Sequence, residues 1–289
     1  MGKKIKFGFC IFCIALLCSC SMTSIMVKAA SPLITKMTDA VNKNDDVELV
    51  KDGIAPSLLM IDGLIEASPE NEKNLLLAAE SYSGYTFAFV EDNNKKRAKK
   101  LYKKARDYAL RVLEKKSWFK GAINMPLNDF SAKIKKFNKK DVPALFWAAN
   151  CWFQLISVSM DSMEVFADIP KAEAMLKRVI ELDEKYYYGS AHIGLGTYYA
   201  ARPQFLGGNP EKAKYHFEKA FSISDSKFLM AHLFYAKFYA VQIQDKDLYI
   251  KTLETIINSP ENLLPEKNFV NELMRVKAKA LMKNLDEYF

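Results

Sequence analysis

The chain has 289 residues, half of them apolar and 26% charged, with a net charge of +8 at neutral pH. That is a globular composition, and its length suffices for a core that needs no disulfide staples. With only three histidines and five cysteines, the residues offer no metal centre and no disulfide framework.

The first element is an export signal. Lys3, Lys4 and Lys6 precede an apolar run from Phe7 to Cys18, the basic-then-apolar layout of a signal peptide. The run is shorter than the roughly 20 residues that a spanning helix needs. It ends in Leu17-Cys18-Ser19-Cys20, which matches a lipobox. An apolar residue stands at −3, small residues follow, and the thiol of Cys20 takes the lipid. Leu17 is too large to precede a cut before Cys18. The expected organisation is therefore a signal peptide over 1–19, a lipidated tether over 20–32 and one helical domain over 33–289. Lipid chains would hold the chain on a membrane without a spanning helix. Once the signal is removed, Cys151 is the only cysteine left besides Cys20, and the charge falls to about +5 with the loss of three lysines. An ordinary cleaved secretory signal is the competing reading.

The rest reads as ten or eleven helices. Glycine is scarce, alternation at period two is nearly absent, and apolar residues recur at i, i+3 and i+4. Stop and start signals stand at Ala55-Pro56, Ser68-Pro69-Glu70-Asn71, Asp141-Val142-Pro143, Ile169-Pro170, Gly208-Asn209-Pro210-Glu211 and Ser259-Pro260-Glu261. Proline just inside a helix start loses nothing, because its missing N–H would be unpaired there. Two basic runs, 95–104 and 133–140, raise the question of nucleic acid. In the first, Ala98, Leu101, Tyr102 and Ala105 recur at helical spacing, so its lysines occupy the opposite, solvated face. Contact with anionic lipid is the second reading, and nucleic acid is not expected.

Internal repeats point to the architecture. The clearest copy is His192-x2-Leu195-Gly196-x2-Tyr199 followed by Ala213-x3-Phe217-x2-Ala220. Gly196 removes a side chain so that two helices can approach, and Phe217 fills the gap beside it. Degenerate copies pair Ala79 and Tyr82 with Ala98-x3-Tyr102-x2-Ala105, and Ala149 and Trp152 with Ala172-x3-Leu176-x2-Val179. A further copy pairs Ala236 and Tyr239 with Tyr249-x3-Leu253-x2-Ile256. The expected fold is all-α, a superhelix of degenerate tetratricopeptide-like helix hairpins with a continuous core between neighbours.

Four stretches also carry a family resemblance. Lys51-Asp52-Gly53-Ile54-Ala55-Pro56-Ser57-Leu58-Leu59, with Gly63-Leu64 and Ser68-Pro69-Glu70-Asn71 behind it, is one; Ala78-Ala79-Glu80-Ser81-Tyr82-x2-Tyr85, continuing to Phe89-Val90-Glu91, is the second, and Pro143 to Ala149 the third. The fourth runs from Ala200-Ala201-Arg202-Pro203-Gln204-Phe205-Leu206-Gly207-Gly208 to Ala213, and its Pro-x3-Gly-Gly loop is the most specific. Together the chain resembles the TRAP-transporter T-component (TatT) family over nearly all of its length. That resemblance implies an accessory lipoprotein of the bacterial cell envelope, with its folded domain in the periplasm. It further implies a homo-trimer, a partnership with the transporter's periplasmic solute-binding protein, and a channel or cleft for a small organic ligand. The residues by themselves also admit a general tetratricopeptide-like scaffold of the envelope.

Nothing in the sequence groups residues for catalysis, and no cofactor is expected. His192, His216 and His232 are scattered, and Gly194-x-Gly196 follows no strand. A binding surface remains. Arg202 offers a donor fork suited to a carboxylate, Phe205 an apolar contact, and Gly207 and Gly208 a tight turn. Trp147, Asn150, Trp152, Tyr198 and Tyr199 are the candidates for an adjoining cleft. Trp152 and Tyr199 also fall on repeat-packing positions, and Arg202 equally suits bracing the loop.

Overall fold

Every regular element of the computed structural model is helical among the residues it describes, 32–159 and 167–289. Twelve helices follow in order: α1 (32–43), α2 (Val47–Ala67), α3 (Glu72–Phe89), α4 (Lys95–Glu114), α5 (Leu127–Ile134) and α6 (Val142–Ser157). Then come α7 (Ile169–Asp183), α8 (Tyr186–Ala200), α9 (Pro210–Ile223), α10 (Leu229–Phe234, running on through a π-helical Tyr235–Ala240), α11 (Lys246–Ile257) and α12 (Asn268–Lys283). The signal peptide and Cys20 lie outside the described residues.

Local chemistry explains most boundaries. Asn71, Asn94, Asn209 and Asp245 each cap a helix, their side chains accepting from backbone N–H groups of the first turn. Pro143, Pro170 and Pro210 stand in first turns. The break expected at Ala55-Pro56 does not occur, because Pro56 lies inside α2. Val50, Leu58, Ile61 and Ile65 keep one buried stripe on either side of it, and their burial outweighs the roughly 3 kcal/mol that an interior proline costs.

The helices nest in pairs as the repeats predict. An added Cβ on Gly196 of α8 would lie 3.0 to 3.1 Å from three ring atoms of Phe217 on α9. The ring thus occupies the space the glycine leaves. The same device recurs one step earlier, where a Cβ on Gly194 would meet Leu176 of α7 at 2.7 Å. In the degenerate pairs α3/α4, α6/α7 and α10/α11, the alanine and aromatic positions are all buried. The 115–141 connection between the first two pairs is no bare loop. Phe119, Phe130 and Phe137 are fully buried there; Trp118 meets Phe119 and Phe137, and Phe119 meets Phe130 and Phe137, with ring centres 4.7 to 6.0 Å apart. Arg178 of α7 donates to the carbonyls of Lys135 and Phe137 and pins the segment.

The row of hairpins curls until its end meets its beginning. Phe87 and Phe89 of α3 pack on Phe234 of α10 and Phe269 of α12, at 5.8 and 6.3 Å between ring centres. Lys277 of α12 pairs with Asp92 at 2.5 Å. Most lysines of the 95–104 run are exposed as expected, but Lys104 turns inward onto Asp62 at 2.6 Å. That carboxylate also accepts from Tyr82 and Tyr108 and ties α2 to α3 and α4.

Because the Phe217 ring lies 3.0 to 3.1 Å from where a Cβ on Gly196 would stand, a larger side chain there forces the pair apart. Gly196→Leu is expected to destabilise the fold by about 1–3 kcal/mol, and Gly196→Ala by less. Urea unfolding checks this, and equal stability of all three forms would refute the close-approach reading.

Candidate functional site

The structure sorts eight of the nine sequence candidates into two places. Six of them build the loop between α8 and α9. Tyr198 and Tyr199 both donate to the carboxylate of Glu173 on α7, each at 2.8 Å. Lys177 pairs with the same carboxylate at 2.7 Å. Burial pushes Glu173 up, but the bonds from Lys177, Tyr199 and Tyr198 outweigh it and hold the group below its ordinary range.

Arg202 braces this loop. Its guanidinium lies 3.6 Å from the centre of the Tyr198 ring, its Nε donates to the Tyr198 carbonyl, and a terminal nitrogen to that of Gly207. Gly207 has φ of 87°, and a Cβ on Gly208 would fall 1.8 Å from the Arg202 carbonyl oxygen. Only glycine permits that approach. Gln242, two residues past the π-helical end of α10, donates to the Tyr199 and Arg202 carbonyls from the other side. The stiffened loop presents its tip outward, with Phe205 86% and Leu206 53% exposed.

Trp147 and Asn150 belong to a second place, on the inner side of the curl. Asn150 bridges Ser83 and Gln154 at 3.4 Å each. Trp147 meets the ring of Tyr187 edge-on at 5.2 Å, and Phe146 stacks on the same ring at 5.7 Å. Tyr187 donates to Glu80 of α3 at 3.3 Å and accepts from Lys267 at 3.2 Å. Lys267 stands 3.9 Å from Glu80. Glu80 keeps 30% of its side-chain surface accessible, whereas Lys267 keeps 11%. Burial raises the Glu80 carboxyl against the opposing pull of Lys267, and burial lowers the Lys267 amine against Glu80. Both shifts favour the neutral forms, the signature of a poorly solvated pair.

This centre escaped sequence reasoning, which named neither Tyr187 nor Lys267 and met Glu80 only within the resemblance stretch from Ala78 to Glu91, with no role assigned. Tyr187, Tyr188 and Gly189 all have positive φ, at 47°, 59° and 72°. Left-handed non-glycine residues cost of order 1 kcal/mol or more each. Here Phe146, Trp147 and Phe228 hold the tyrosine rings against that strain. The run Tyr186-Tyr187-Tyr188-Gly189 was the one available signal. Trp152 joins neither place: it is buried against Phe130, and its Nε1 donates to Asp168 at 3.2 Å.

The fold also joins two histidines that are distant in sequence. Nδ1 of His192 lies 2.8 Å from Nδ1 of His216, and Nε2 of His192 lies 3.1 Å from Glu184. The carboxylate can only accept, so His192 carries its proton on Nε2. Its Nδ1 then accepts from Nδ1–H of His216. His232 stands apart, stacked on Phe221. Among the described residues no three His, Cys, Asp or Glu side chains are grouped to hold a metal ion, and no helix is long and apolar enough to cross a membrane. Cys151 is buried, and burial pushes its thiol up to about 12.

Burial and the His192 ring, with Lys177 and Lys212 behind them, depress His216 from 6.5 to about 4 against the pull of Glu173. A base depressed on folding stabilises the fold above its unfolded pKa, and the contribution is lost as pH falls through the folded one. Between pH 6.5 and 4 the wild-type melting temperature should therefore fall more steeply than that of His216→Gln, which keeps a donor without titrating. Parallel curves would remove the histidine pair from the acid response.

Two comparisons with known proteins bear on the chain as a whole. The family described as TRAP transporter T-component matches residues 43–289. An uncharacterized protein of Treponema pallidum (strain Nichols) is 22% identical over 270 residues, covering 87% of this chain and 83% of its own.

Proposed function

The chain belongs to the TRAP transporter T-component family, and from that premise we propose that it is an extracytoplasmic accessory lipoprotein which binds the transporter's solute-binding protein and its small organic ligand. Membership alone ties the chain to a transporter of the cell envelope. The finer parts of the reading are an anchor on Cys20, a folded domain in the periplasm, assembly as a homo-trimer, and no enzymatic activity of its own.

The observation that carries the partner role is the braced loop. A stiff turn that leaves a phenylalanine 86% exposed gives up a large apolar burial that only a partner restores, at low ordering cost. The aromatic centre supports the ligand role. Trp147 and Tyr187 offer apolar walls, and Lys267 offers a poorly solvated donor to an organic acid, with Glu80 as its counter-charge when the site is empty.

Capture of the transporter's solute-binding protein by the full chain on vesicles tests the first part. Phe205→Asp should weaken capture at least tenfold, a loss of about 1.4 kcal/mol. Absence of capture by the wild type sinks the partnership. Native mass spectrometry tests the second part. The wild type is expected to retain a small acid that Lys267→Met releases, and identical spectra for the two would remove the centre as a ligand site.

A further inference from the structure

The outer face of α2 has no partner among the described residues. Leu49, Gly53, Pro56, Met60, Gly63 and Ala67 are all exposed and follow each other at spacings of 4, 3, 4, 3 and 4 residues. That is an unbroken heptad seam. Leu49, Leu59 and Met60 keep 59%, 71% and 54% of their surface. From residue 53 to 65 the one charged residue is Asp62, and Lys104, Tyr82 and Tyr108 bind it on the inner side. The outer surface is thus uncharged over about 20 Å of helix. A Cβ on Gly53 or Gly63 would meet nothing within 4 Å. Two interior glycines each cost about 1 kcal/mol of helix stability, and no contact among the described residues makes use of them.

We propose that this seam is where copies of the chain meet, with the α2 helices of neighbouring copies packed side by side and parallel. The inference rests on the trimer of the preceding section and assigns its interface. A helix, unlike lipid, profits from glycine holes, because they let two backbones approach closely. Parallel packing suits the flanking residues. In that register Asp52 faces Ser57 of the neighbour and Leu59 faces Leu64, so no like charges meet. It also suits the tether. Cys20 lies twelve residues before residue 32, a reach of at most about 43 Å, so copies lipidated in one membrane are held on the same side of it.

Light scattering on the full chain in detergent micelles reads the copy number, with the melting temperature as a check on folding. The wild type should run as three copies, and Met60→Glu and Gly63→Glu as single copies with unchanged melting. Met60→Cys supplies a test that leaves the seam apolar: mild oxidation should link two copies above the wild-type background, whereas Lys51→Cys on the neighbouring face should not. A single-copy wild type would overturn both the seam and the trimer. A trimer unmoved by either glutamate would overturn the seam alone. Variants that lose binding to neutral phosphatidylcholine vesicles at constant copy number would show a lipid-docking face and overturn the seam as well. Capture of the solute-binding protein is a separate readout and fails or stands independently.

Discussion

The structure depends on one recurring contact, a ring or branched side chain seated where its neighbour helix has no Cβ or only a methyl group. Gly196 against Phe217 is its clearest form, and Gly194 against Leu176 continues it into the next hairpin. Interiors this dense transmit shape, because a gap or an extra methylene is felt at once. The closeness of each pair sets how the next pair leans, and the accumulated lean curls the row until α12 reaches α2 and α3.

That curl creates the inner centre. Glu80, Trp147, Tyr187 and Lys267 come from α3, α6, the start of α8 and the turn before α12, and only closure of the row brings them together. Closure also makes the pair of charges poorly solvated, which is why each shifts toward its neutral form. The left-handed run at Tyr187–Gly189 is tolerated for the same reason, since rings from three directions hold it. The outer loop follows a different logic. Its rigidity comes from Arg202, Gln242 and two glycines that bring backbone against backbone, and its apolar tip is left to solvent. A ligand centre inside, a partner knob at the rim and a seam on α2 would occupy separate surfaces, so one chain could serve all three without competition.

Much was legible from the residues alone. The period of the apolar positions, the helix starts marked by Pro143, Pro170 and Pro210, and the Gly196–Phe217 pairing are local or nearly local facts, fixed by helix geometry and by what a missing side chain permits. They determined the all-α class and the hairpin architecture, and the motif resemblance pointed to the family that the comparison then established. Pro56 misled because a local breaker was set against a stripe of burial on both sides of it, and burial is not local.

Tertiary structure alone decided the sites. Glu80 and Lys267 are separated by most of the chain, and no spacing rule relates residues that meet only when a superhelix closes. His192 and His216 looked scattered because their adjacency depends on the register of two antiparallel helices. Arg202 could read as a free anion binder until the fold showed Tyr198 beneath it and Gly207 beside it. Sequence determines which helices form and which of their faces want burial. Which groups then share one small volume depends on the angle at which each hairpin packs on the next, and that angle is a property of the whole assembled core.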